Sequence, residues 1–223
     1  LNDLTRFVLV NAIYLKAKWQ IPFEKSMTAA APFHRLDGTD ARVQLMRLPT
    51  PPSLPYARAA GYQAVSLPYI GGLSMVVLVP DAGSFASVEA SLRDGGRLGQ
   101  AVDLPSRKAV KLALPRFTFR TAAMLKEPLE QLGMPIAFTD RADFSGIAPK
   151  ERLLLQAVVH EAFIAVDEEG TEAAAATAVI GGLTSAPSEI IELTVDRPFL
   201  FFIRDDETGV VLFMGRVVDP SAS

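Results

Sequence analysis

The chain has 223 residues, and the hydrophobic 49% of them can form the core of one large domain or two small ones. Its 22 basic and 25 acidic residues are interspersed and leave a net charge of -3, which argues against a nucleic-acid partner and a polybasic membrane-binding patch. There is no cysteine, which excludes disulfides, a thiol nucleophile and thiolate metal sites.

No apolar run reaches the roughly 18 residues that a membrane-spanning helix needs. A secretory leader is not recognisable either. The sequence starts at Leu1 rather than at a methionine, and it leads almost at once into a predicted strand, so we expect that a natural N-terminal part is missing. The localisation therefore stays open between extracellular and cytoplasmic.

The first predicted element is a long strand over residues 5–19, whose nearly continuous apolar residues predict burial on both faces. Asn11 interrupts it and needs hydrogen-bond partners if it is buried. Turn residues predict a hairpin around the Asp-Gly pair at residues 37–38 and two strands around the Gly-Gly pair at residues 71–72. The proline-rich residues 50–55 predict a loop, because proline cannot donate a hydrogen bond to a central strand.

A helix is predicted over residues 84–92, with the Gly-Gly pair at residues 95–96 as its end. In chain order there follow a predicted strand over residues 110–120, a helix over residues 125–132 that ends at Gly133, and a long apolar strand over residues 152–167 that His160 interrupts. The sequence closes with a predicted hairpin over residues 199–218, whose two apolar arms predict burial on both faces.

Residues 168–182, EEGTEAAAATAVIGG, have the local features of a helix that nothing anchors. The four alanines at residues 173–176 favour a helix, and the glycines at residues 181–182 would end it. Its only large side chains, Val179 and Ile180, are adjacent, so it lacks an apolar stripe that could pack on a core. A helix of this length without packing is marginal in water.

Motifs for enzymatic chemistry are not found in the sequence. There is no nucleophile elbow, phosphate-binding loop or dinucleotide-binding motif. His34 and His160 have no second ligand at a suitable spacing, so we expect no metal site and no cofactor. His160 reads as a core histidine rather than a catalytic one, and the adjacent Glu168 and Glu169 cannot act as a carboxylate pair. We expect that the protein is not an enzyme.

Six stretches of the sequence, taken together, point to one protein family. In chain order they are LVNAIYLKAKWQIPF, FEKSMTAAAPFH, VSLPY with LSMVVLVPD, ADFSGI, VVHEAFIAVDEEGTEAAAATA and DRPFLFFIRDDETGVVLFMGRVVDP. They resemble the C-terminal part of a serpin, a serine-protease inhibitor of the loop-inserting kind. The resemblance implies an α+β serpin fold fragment that is mostly β, with a large mixed sheet, further antiparallel sheets and a few short helices. It also implies that residues 1–223 belong to a single domain whose mostly helical N-terminal part is missing.

In this family the weakly anchored segment would start the reactive-centre loop, about residues 168–190, which inserts into the main sheet after cleavage. The resemblance implies a hinge made of Gly170, Thr171, Glu172, Ala173, Ala174, Ala175, Ala176 and Thr177. As a strand, the hinge would place Thr171, Ala173, Ala175 and Thr177 on one face. These side chains are small and uncharged, so they can enter a packed interior without overpacking it or burying a charge.

The reactive bond is implied by counting along the loop. If Gly170 is the first of fifteen residues, the bond lies between Thr184 and Ser185, with Leu183–Thr184 as the alternative. Thr184 suits an elastase-like or subtilisin-like protease, whereas cleavage after Leu183 suits a chymotrypsin-like one. Residues 173–191 contain no arginine or lysine, so a trypsin-like or thrombin-like target is not expected.

The resemblance also assigns residues that control opening of the main sheet. Asn11 and His160 match a hydrogen-bonded pair called the shutter. Trp19 matches the breach at the top of the gap, and Arg116 and Glu168 match a basic and an acidic residue that pair near the breach. We therefore expect these five side chains where an inserting strand would open the sheet.

The implied function is that of a suicide substrate, which traps a protease as an acyl-enzyme while the loop inserts. The expected partner is a serine protease, with a cysteine protease as the alternative, and no nucleic acid, membrane or cofactor is expected. A non-inhibitory serpin that serves as a chaperone or carrier is an alternative, as is an inactive truncated fragment. We expect the intact parent to be a monomer and the fragment to self-associate through an exposed sheet edge.

Overall fold

The structure is a computed structural model that describes residues 7–93, 95–150, 152–171 and 189–222. Its strands are β1 (Val8–Tyr14), β2 (Ala17–Lys18), β3 (Ala29–His34), β4 (Asp40–Arg47), β5 (Ser53–Ala59), β6 (Tyr62–Pro68), β7 (Leu73–Pro80), β8 (Ser106–Pro115), β9 (Phe117–Met124), β10 (Ala157–Val166), β11 (Gly170–Thr171), β12 (Ile190–Thr194), β13 (Phe199–Asp205) and β14 (Val211–Val217). Its helices are α1 (Phe85–Ser91), α2 (Gly95–Val102) and α3 (Lys126–Gln131), with short 3₁₀ turns at Lys25–Met27 and Ile136–Phe138. The chain divides into a first unit, Leu1–Leu15 with Phe119–Ile164, and a second unit, Lys16–Thr118 with Ala165–Ser223.

In the first unit, two strands lie side by side in parallel. β1 pairs with β10 along its whole length, and β9 also pairs with β10. Phe138, Leu155 and Val158 form a small core, to which α3 contributes Leu129. The first unit therefore has a hydrophobic cluster of its own.

The prediction of one long strand over residues 5–19, buried on both faces, is wrong. The strand breaks after Tyr14, and the side chains of residues 9–14 are exposed, that of Val10 to 65%. Burial on both faces requires an element over each face, and the described core of the first unit reaches only Phe7, before β1 begins. The second long strand starts at Ala157 rather than at residue 152, and most of its side chains are half-buried.

Nine described strands of the second unit form one large sheet. Their order is β14, β13, β7, β6, β5, β8, β4 and β3, with β12 pairing with β8. Val88 of α1 and Ala101 of α2 pack in the same buried cluster as Leu78 of β7 and Phe202 of β13. Both short helices thus contribute to a core built on the sheet.

Several local predictions are confirmed in both units. The hairpins around residues 37–38 and 71–72 are the antiparallel pairs β3–β4 and β6–β7. The helix predicted over residues 84–92 is α1, and the helix predicted over residues 125–132 is α3. The single strand predicted over residues 110–120 is instead divided between β8 and β9, which are separated at Arg116. Turn glycines and hydrophobic spacing are local signals, which explains why these elements were predictable.

The Gly-Gly pair at residues 95–96, predicted to end a helix, instead opens α2. Leu98, Ala101 and Val102 of α2 lie at helical spacing and pack on the core of the second unit. This tertiary contact outweighs the low helix propensity of glycine.

Residues 50–55, predicted as a loop, are a strand in their second half. β5 begins at Ser53, and Pro55 lies opposite Arg107 of β8. The proline is tolerated because β6 joins β5 only from Tyr56 onward, so that Pro55 has a paired strand on one side only.

The closing hairpin is formed by β13 and β14, but only β13 is buried on both faces as predicted. β14 is the last strand of the sheet, and its alternate side chains Leu212 and Met214 are exposed. The described elements cover only one face of β14. The prediction that β14 is buried on both faces, which was made from its apolar run, is therefore wrong.

Candidate functional site

The predicted hinge follows a tight turn between β10 and β11, which is called the hinge turn below. The Asp167 amide donates to the Gly170 carbonyl at 2.9 Å. The Asp167 carboxylate oxygen Oδ1 accepts from the Glu169 amide at 2.8 Å and from the Gly170 amide at 3.2 Å. One aspartate therefore closes the turn with both its backbone and its side chain.

The carbonyls of this turn are hydrogen-bonded to residues 19–23. The Trp19 indole Nε1–H donates to the Asp167 carbonyl at 2.9 Å, and the Trp19 amide donates to the Glu169 carbonyl at 2.9 Å. The Phe23 amide donates to the Glu168 carbonyl at 2.9 Å. Trp19 is 2% exposed, so these bonds hold the turn against a buried ring.

Gly170 has a steric role that its neighbours could not fill. Its φ is +149°, a conformation that residues with a side chain rarely adopt. A Cβ added here would lie 2.2 Å from the Ala17 carbonyl oxygen and 2.7 Å from the Lys18 Cα. Only glycine allows the hinge backbone to approach β2 this closely.

β11 lies between β10 and β2 and is antiparallel to both. Thr171 is opposite Val166 on one side and Ala17 on the other. The Thr171 side chain is fully buried, and its Oγ1 lies 2.7 Å from the Tyr69 hydroxyl. The first residues after the turn therefore already form a short inner strand of the sheet.

Tyr69 packs flat on Trp19, with ring centroids 4.2 Å apart and an angle of 9° between the planes. Burial raises the pKa of the Tyr69 hydroxyl well above its usual value, and the hydrogen bond with Thr171 offsets this only in part. The hydroxyl is therefore neutral at physiological pH. Sequence reasoning did not assign Tyr69 to the site, because no local signal links it to a residue 102 positions away.

Glu168 is a buried carboxylate that forms an ion pair with Arg116. Its side chain is 2% exposed, and the Arg116 guanidinium donates to it from Nε at 2.9 Å and from Nη2 at 2.6 Å. The Thr28 hydroxyl donates to Glu168 Oε1 at 2.5 Å. Burial raises the pKa of Glu168, but the hydrogen bonds from Arg116 and Thr28 outweigh burial and leave the pKa below its usual range. Glu168 is therefore an anion at neutral pH.

The second acid of the turn, Glu169, forms an ion pair with Lys25. The hydrogen bond and charge of Glu169 raise the pKa of Lys25, whose side chain is 63% exposed. Neither Lys25 nor Thr28 was predicted as a site residue. Both lie in FEKSMTA, about 140 positions before the turn, and only the fold brings them to it.

Asn11 and His160 face each other across β1 and β10. They are register partners, and Nδ1 of His160 lies 3.1 Å from Oδ1 of Asn11. Their contact is exposed to solvent, and the His160 residue is half-buried. The expectation of a core histidine is therefore wrong, because the described residues of the first unit leave this part of the sheet uncovered.

The sequence matches the family model of the serpins, which are described as serine protease inhibitors, over residues 1–220. The chain belongs to the serpin family. An uncharacterized serpin-like protein of Thermococcus kodakarensis is 41% identical over 99% of this chain and 51% of its own length. Plasminogen activator inhibitor 1 of Neovison vison is 37% identical over 98% of this chain and 55% of its own length. This serpin chain thus spans about half the length of these relatives.

Solved structures share the fold. Serpin48, a highly specific serpin of the insect Tenebrio molitor, matches 98% of this chain and 57% of its own, with a TM-score of 0.84 and 33% identity. Thyroxine-binding globulin in complex with thyroxine matches 99% of this chain and 58% of its own, with a TM-score of 0.84 and 28% identity. The expected serpin fold, mostly β with few short helices, is confirmed.

The structure places the predicted serpin site residues in two groups. Trp19, Arg116 and Glu168 meet in the second unit, around the hinge turn. Asn11 and His160 meet in the first unit. Of the predicted hinge, Gly170 and Thr171 are described, whereas residues 172–177 and the bonds at Thr184–Ser185 and Leu183–Thr184 lie outside the described residues.

Two further observations concern other kinds of site. In the part of the chain that the structure describes, no three histidine, cysteine or acidic side chains are grouped so that they could hold a metal ion. None of the described helices has the length and hydropathy required to cross a membrane.

Proposed function

We propose that this chain carries the reactive-centre loop of an inhibitory serpin, and that the protein inhibits serine proteases as a suicide substrate. The observation that carries the proposal is the position of β11. The start of the loop already lies in the sheet as a strand between β10 and β2, with Thr171 fully buried. Because the first residues of the loop are already paired with β10, the following residues can extend this pairing without a separate step that docks the loop on the sheet.

The path of further insertion follows from strand direction. β1 and β10 are direct hydrogen-bonded neighbours from Val8 opposite Ala157 onward, so the inserting loop would separate them. A strand that continues from β11 is antiparallel to β10, as its first residues already are. About ten new ladder bonds at roughly 1 kcal/mol each would release on the order of 10 kcal/mol. That is enough to drive a large conformational change.

Thr171 supports the face assignment of the hinge. Its side chain is 0% exposed, which identifies the face that receives it as the inner one. Because side chains alternate along a strand, Ala173, Ala175 and Thr177 would follow it inward. All three are small and uncharged, as an interior requires.

The chemical step would use only groups of the protease. The protease histidine takes the proton of the serine hydroxyl as the serine oxygen attacks the carbonyl carbon of Thr184, the peptide bond to Ser185 breaks, and the histidine gives that proton to the new amine. An ester then joins Thr184 to the protease. Insertion of the loop would carry the tethered protease away and distort its oxyanion hole, so that water does not hydrolyse the ester. The inhibitor contributes no catalytic group.

The decisive experiment uses the protein expressed from its complete coding sequence and a panel of elastase-like, subtilisin-like and chymotrypsin-like proteases, with papain for the cysteine-protease alternative. We expect a complex that survives denaturing gel electrophoresis. Ala175→Arg, at a position predicted to face inward after insertion, should abolish the complex and leave rapid cleavage, because insertion would bury a charge. Ala174→Arg, on the outward face, is the matched control and should keep the complex. Equal behaviour of the two variants would contradict the proposal.

Mass spectrometry of the released C-terminal fragment identifies the bond. We expect a fragment that begins at Ser185, with one that begins at Thr184 as the alternative. Cleavage by a trypsin-like enzyme within residues 173–191 is not expected, since no arginine or lysine lies there.

A carrier function is the second candidate. The second unit has an open cavity of about 360 Å³, lined among others by Leu92, Leu98 and Phe202, and the matched thyroxine-binding globulin structure contains a small ligand. The small inward hinge residues favour inhibition instead. A wild-type protein that every protease cleaves without a stable complex would favour the carrier or chaperone alternative.

We further propose that residues 1–223 belong to one serpin domain, and that the parent is monomeric. Light scattering of the full protein and of the 223-residue chain separates the two states. We expect a monomer for the former and self-association for the latter, through the exposed apolar side chains of β1. A monomeric 223-residue chain that unfolds cooperatively would contradict the inactive-fragment alternative.

A further inference from the structure

The Tyr69 hydroxyl is a buried polar group that neither the acyl-enzyme chemistry nor the assigned shutter and breach residues involve. Tyr69 is 3% exposed and Thr171 is 0% exposed, and their oxygens are 2.7 Å apart. A buried hydroxyl without a hydrogen-bond partner would cost free energy, so each of these two hydroxyls serves as the hydrogen-bond partner of the other. The bond joins Tyr69, which directly follows β6 of the nine-stranded sheet, to Thr171 of β11, the first loop residue with a buried side chain.

We propose that Tyr69 is a positioning residue, whose hydroxyl holds Thr171 in the sheet before a protease arrives and so sets the register in which the loop enters. This inference rests on the proposed function. It adds a residue and a role that loop insertion as such does not require.

Register matters here because a one-residue slip exchanges the two faces of a strand. A slip would place Glu172 or Gly170 opposite the Tyr69 hydroxyl in place of Thr171. The first would bury a carboxylate, and the second would leave the hydroxyl without its partner. A slip would also move a residue with a Cβ into the position of Gly170, 2.2 Å from the Ala17 carbonyl oxygen. The steric limit at Gly170 and the hydrogen bond at Thr171 therefore select the same register.

Tyr69 is itself held in place, as a positioning residue must be. Its amide donates to the Leu73 carbonyl at 2.8 Å, and the next amide, of Ile70, donates to the Lys18 carbonyl at 2.8 Å. Its ring stacks on Trp19, which also caps the hinge turn. The hydroxyl therefore sits on a fixed ring between two bonded backbone segments. Since burial raises its pKa, the hydroxyl keeps its proton across the physiological range.

The test combines two readouts on the protein expressed from its complete coding sequence. Tyr69→Phe removes the hydroxyl and keeps the ring on Trp19, and Thr171→Val removes the partner with little change in shape. Tyr56→Phe is the control, because Tyr56 is also a buried tyrosine of the second unit, and its hydroxyl donates to Gln63 at 2.8 Å in a partly buried hydrogen bond away from the hinge. The first readout is amide hydrogen exchange of residues 167–171. The second is the stoichiometry of inhibition, the number of inhibitor molecules consumed per protease molecule trapped.

We expect Tyr69→Phe and Thr171→Val each to accelerate exchange of residues 167–171 about fivefold, the effect of losing one net hydrogen bond. Both should raise the stoichiometry of inhibition several-fold, because slower entry of the loop leaves more time for hydrolysis of the acyl-enzyme. The double variant should be no worse than either single one, since both remove the same bond. Tyr56→Phe should change neither readout.

The outcomes distinguish this inference from the function on which it rests. Unchanged exchange in Tyr69→Phe overturns the inference, whatever the inhibition shows. Faster exchange with an unchanged stoichiometry also overturns it, because the hydroxyl then has only a structural role. A wild-type protein that is cleaved without trapping any protease overturns the proposed function, and the positioning role with it.

Discussion

Two polar contacts of this serpin differ sharply in their surroundings. Glu168, Arg116 and Thr28 form a cluster whose carboxylate is 2% exposed, with three donor contacts of 2.5 to 2.9 Å. Asn11 and His160 form a single contact of 3.1 Å that is open to water. Both join residues about 50 to 150 positions apart in the sequence, so both depend on the fold.

The difference shows how burial changes the meaning of a hydrogen bond. Water can replace the Asn11–His160 contact when it breaks, so its net contribution to stability is small. Water cannot reach Glu168 as easily, so loss of Arg116 leaves a charge with too few partners. The turn that contains Glu168 is therefore held firmly, whereas Asn11 and His160, the predicted shutter pair, can separate at little cost.

The largest loss of stability is expected at Gly170, where the structure leaves no room for a side chain. Gly170→Ala should lower the free energy of unfolding by about 3 kcal/mol or release β11 from the sheet, because φ is +149° and the added Cβ meets the Ala17 carbonyl at 2.2 Å. Denaturant unfolding measures the loss, and the fluorescence of Trp19, the only tryptophan, detects release of the turn.

Gly209→Ala is the control for this prediction. Gly209 also has a positive φ, +72°, but nothing lies within 4 Å of an added Cβ. It should cost only about 1 kcal/mol, the strain of the backbone conformation. If both alanines cost the same, the close approach of the hinge to β2 does not matter for stability.

Removal of the cation tests the buried side of the comparison. Arg116→Met should lower the free energy of unfolding by about 2 kcal/mol, because Glu168 loses its charged donor while it stays buried. Arg216→Met is the matched control, since Arg216 forms an exposed ion pair with Glu89 at 3.3 Å, and its loss should cost less than about 1 kcal/mol. Chemical denaturation of both variants decides. Similar small losses would show that the Arg116–Glu168 pair behaves like a surface pair.

Acid should weaken the same cluster, though by less than the loss of Arg116. The pKa of Glu168 in the folded chain is below its usual value of 4.5. Its contribution to stability is therefore complete above about pH 4.5 and is lost as the pH falls through the lower, folded-state pKa. Unfolding should be followed as a function of pH in the wild type and in Glu168→Gln.

The glutamine variant is needed because the pKa values of Asp37, Asp143, Asp205 and Asp219 are also lowered by hydrogen bonds, so several carboxylates contribute to acid sensitivity. The stability difference between wild type and variant should shrink as the pH falls below 4.5. A difference that is independent of pH would show that the Glu168 charge has no role.

The smallest effect is expected at Asn11 and His160, the predicted shutter pair. Asn11→Ala and His160→Ala should each lower the free energy of unfolding by about 0.5 kcal/mol or less, because solvent replaces the lost contact. Chemical denaturation at neutral pH measures it. A loss as large as that of Arg116→Met would break the comparison between the two contacts.

The elements that the sequence predicted well share local signals. The Asp-Gly and Gly-Gly turns determine the β3–β4 and β6–β7 hairpins, and the apolar spacing of residues 84–92 determines α1. The predictions that failed depended on neighbours. α2 forms over a Gly-Gly pair because the core receives Leu98, and Pro55 lies in a strand because only β8 pairs with it there.

The site shows the same division. The resemblance to the serpin family was enough to predict five site residues, because each lies in or near a recognisable stretch of the sequence. They are Asn11, His160, Trp19, Arg116 and Glu168. Tyr69, Thr28 and Lys25 were missed, since each meets the hinge turn across more than 100 positions of sequence and none carries a distinctive motif.

By itself the sequence determined which residues of the predicted hinge are small and on which alternating face they would fall as a strand, because the period of a strand is a property of the backbone. Only the tertiary structure decided that Gly170 must lack a side chain and that Thr171 has a buried partner. Those facts depend on how closely β2 and Tyr69 approach the turn, and such distances are set by packing rather than by the residues of the turn.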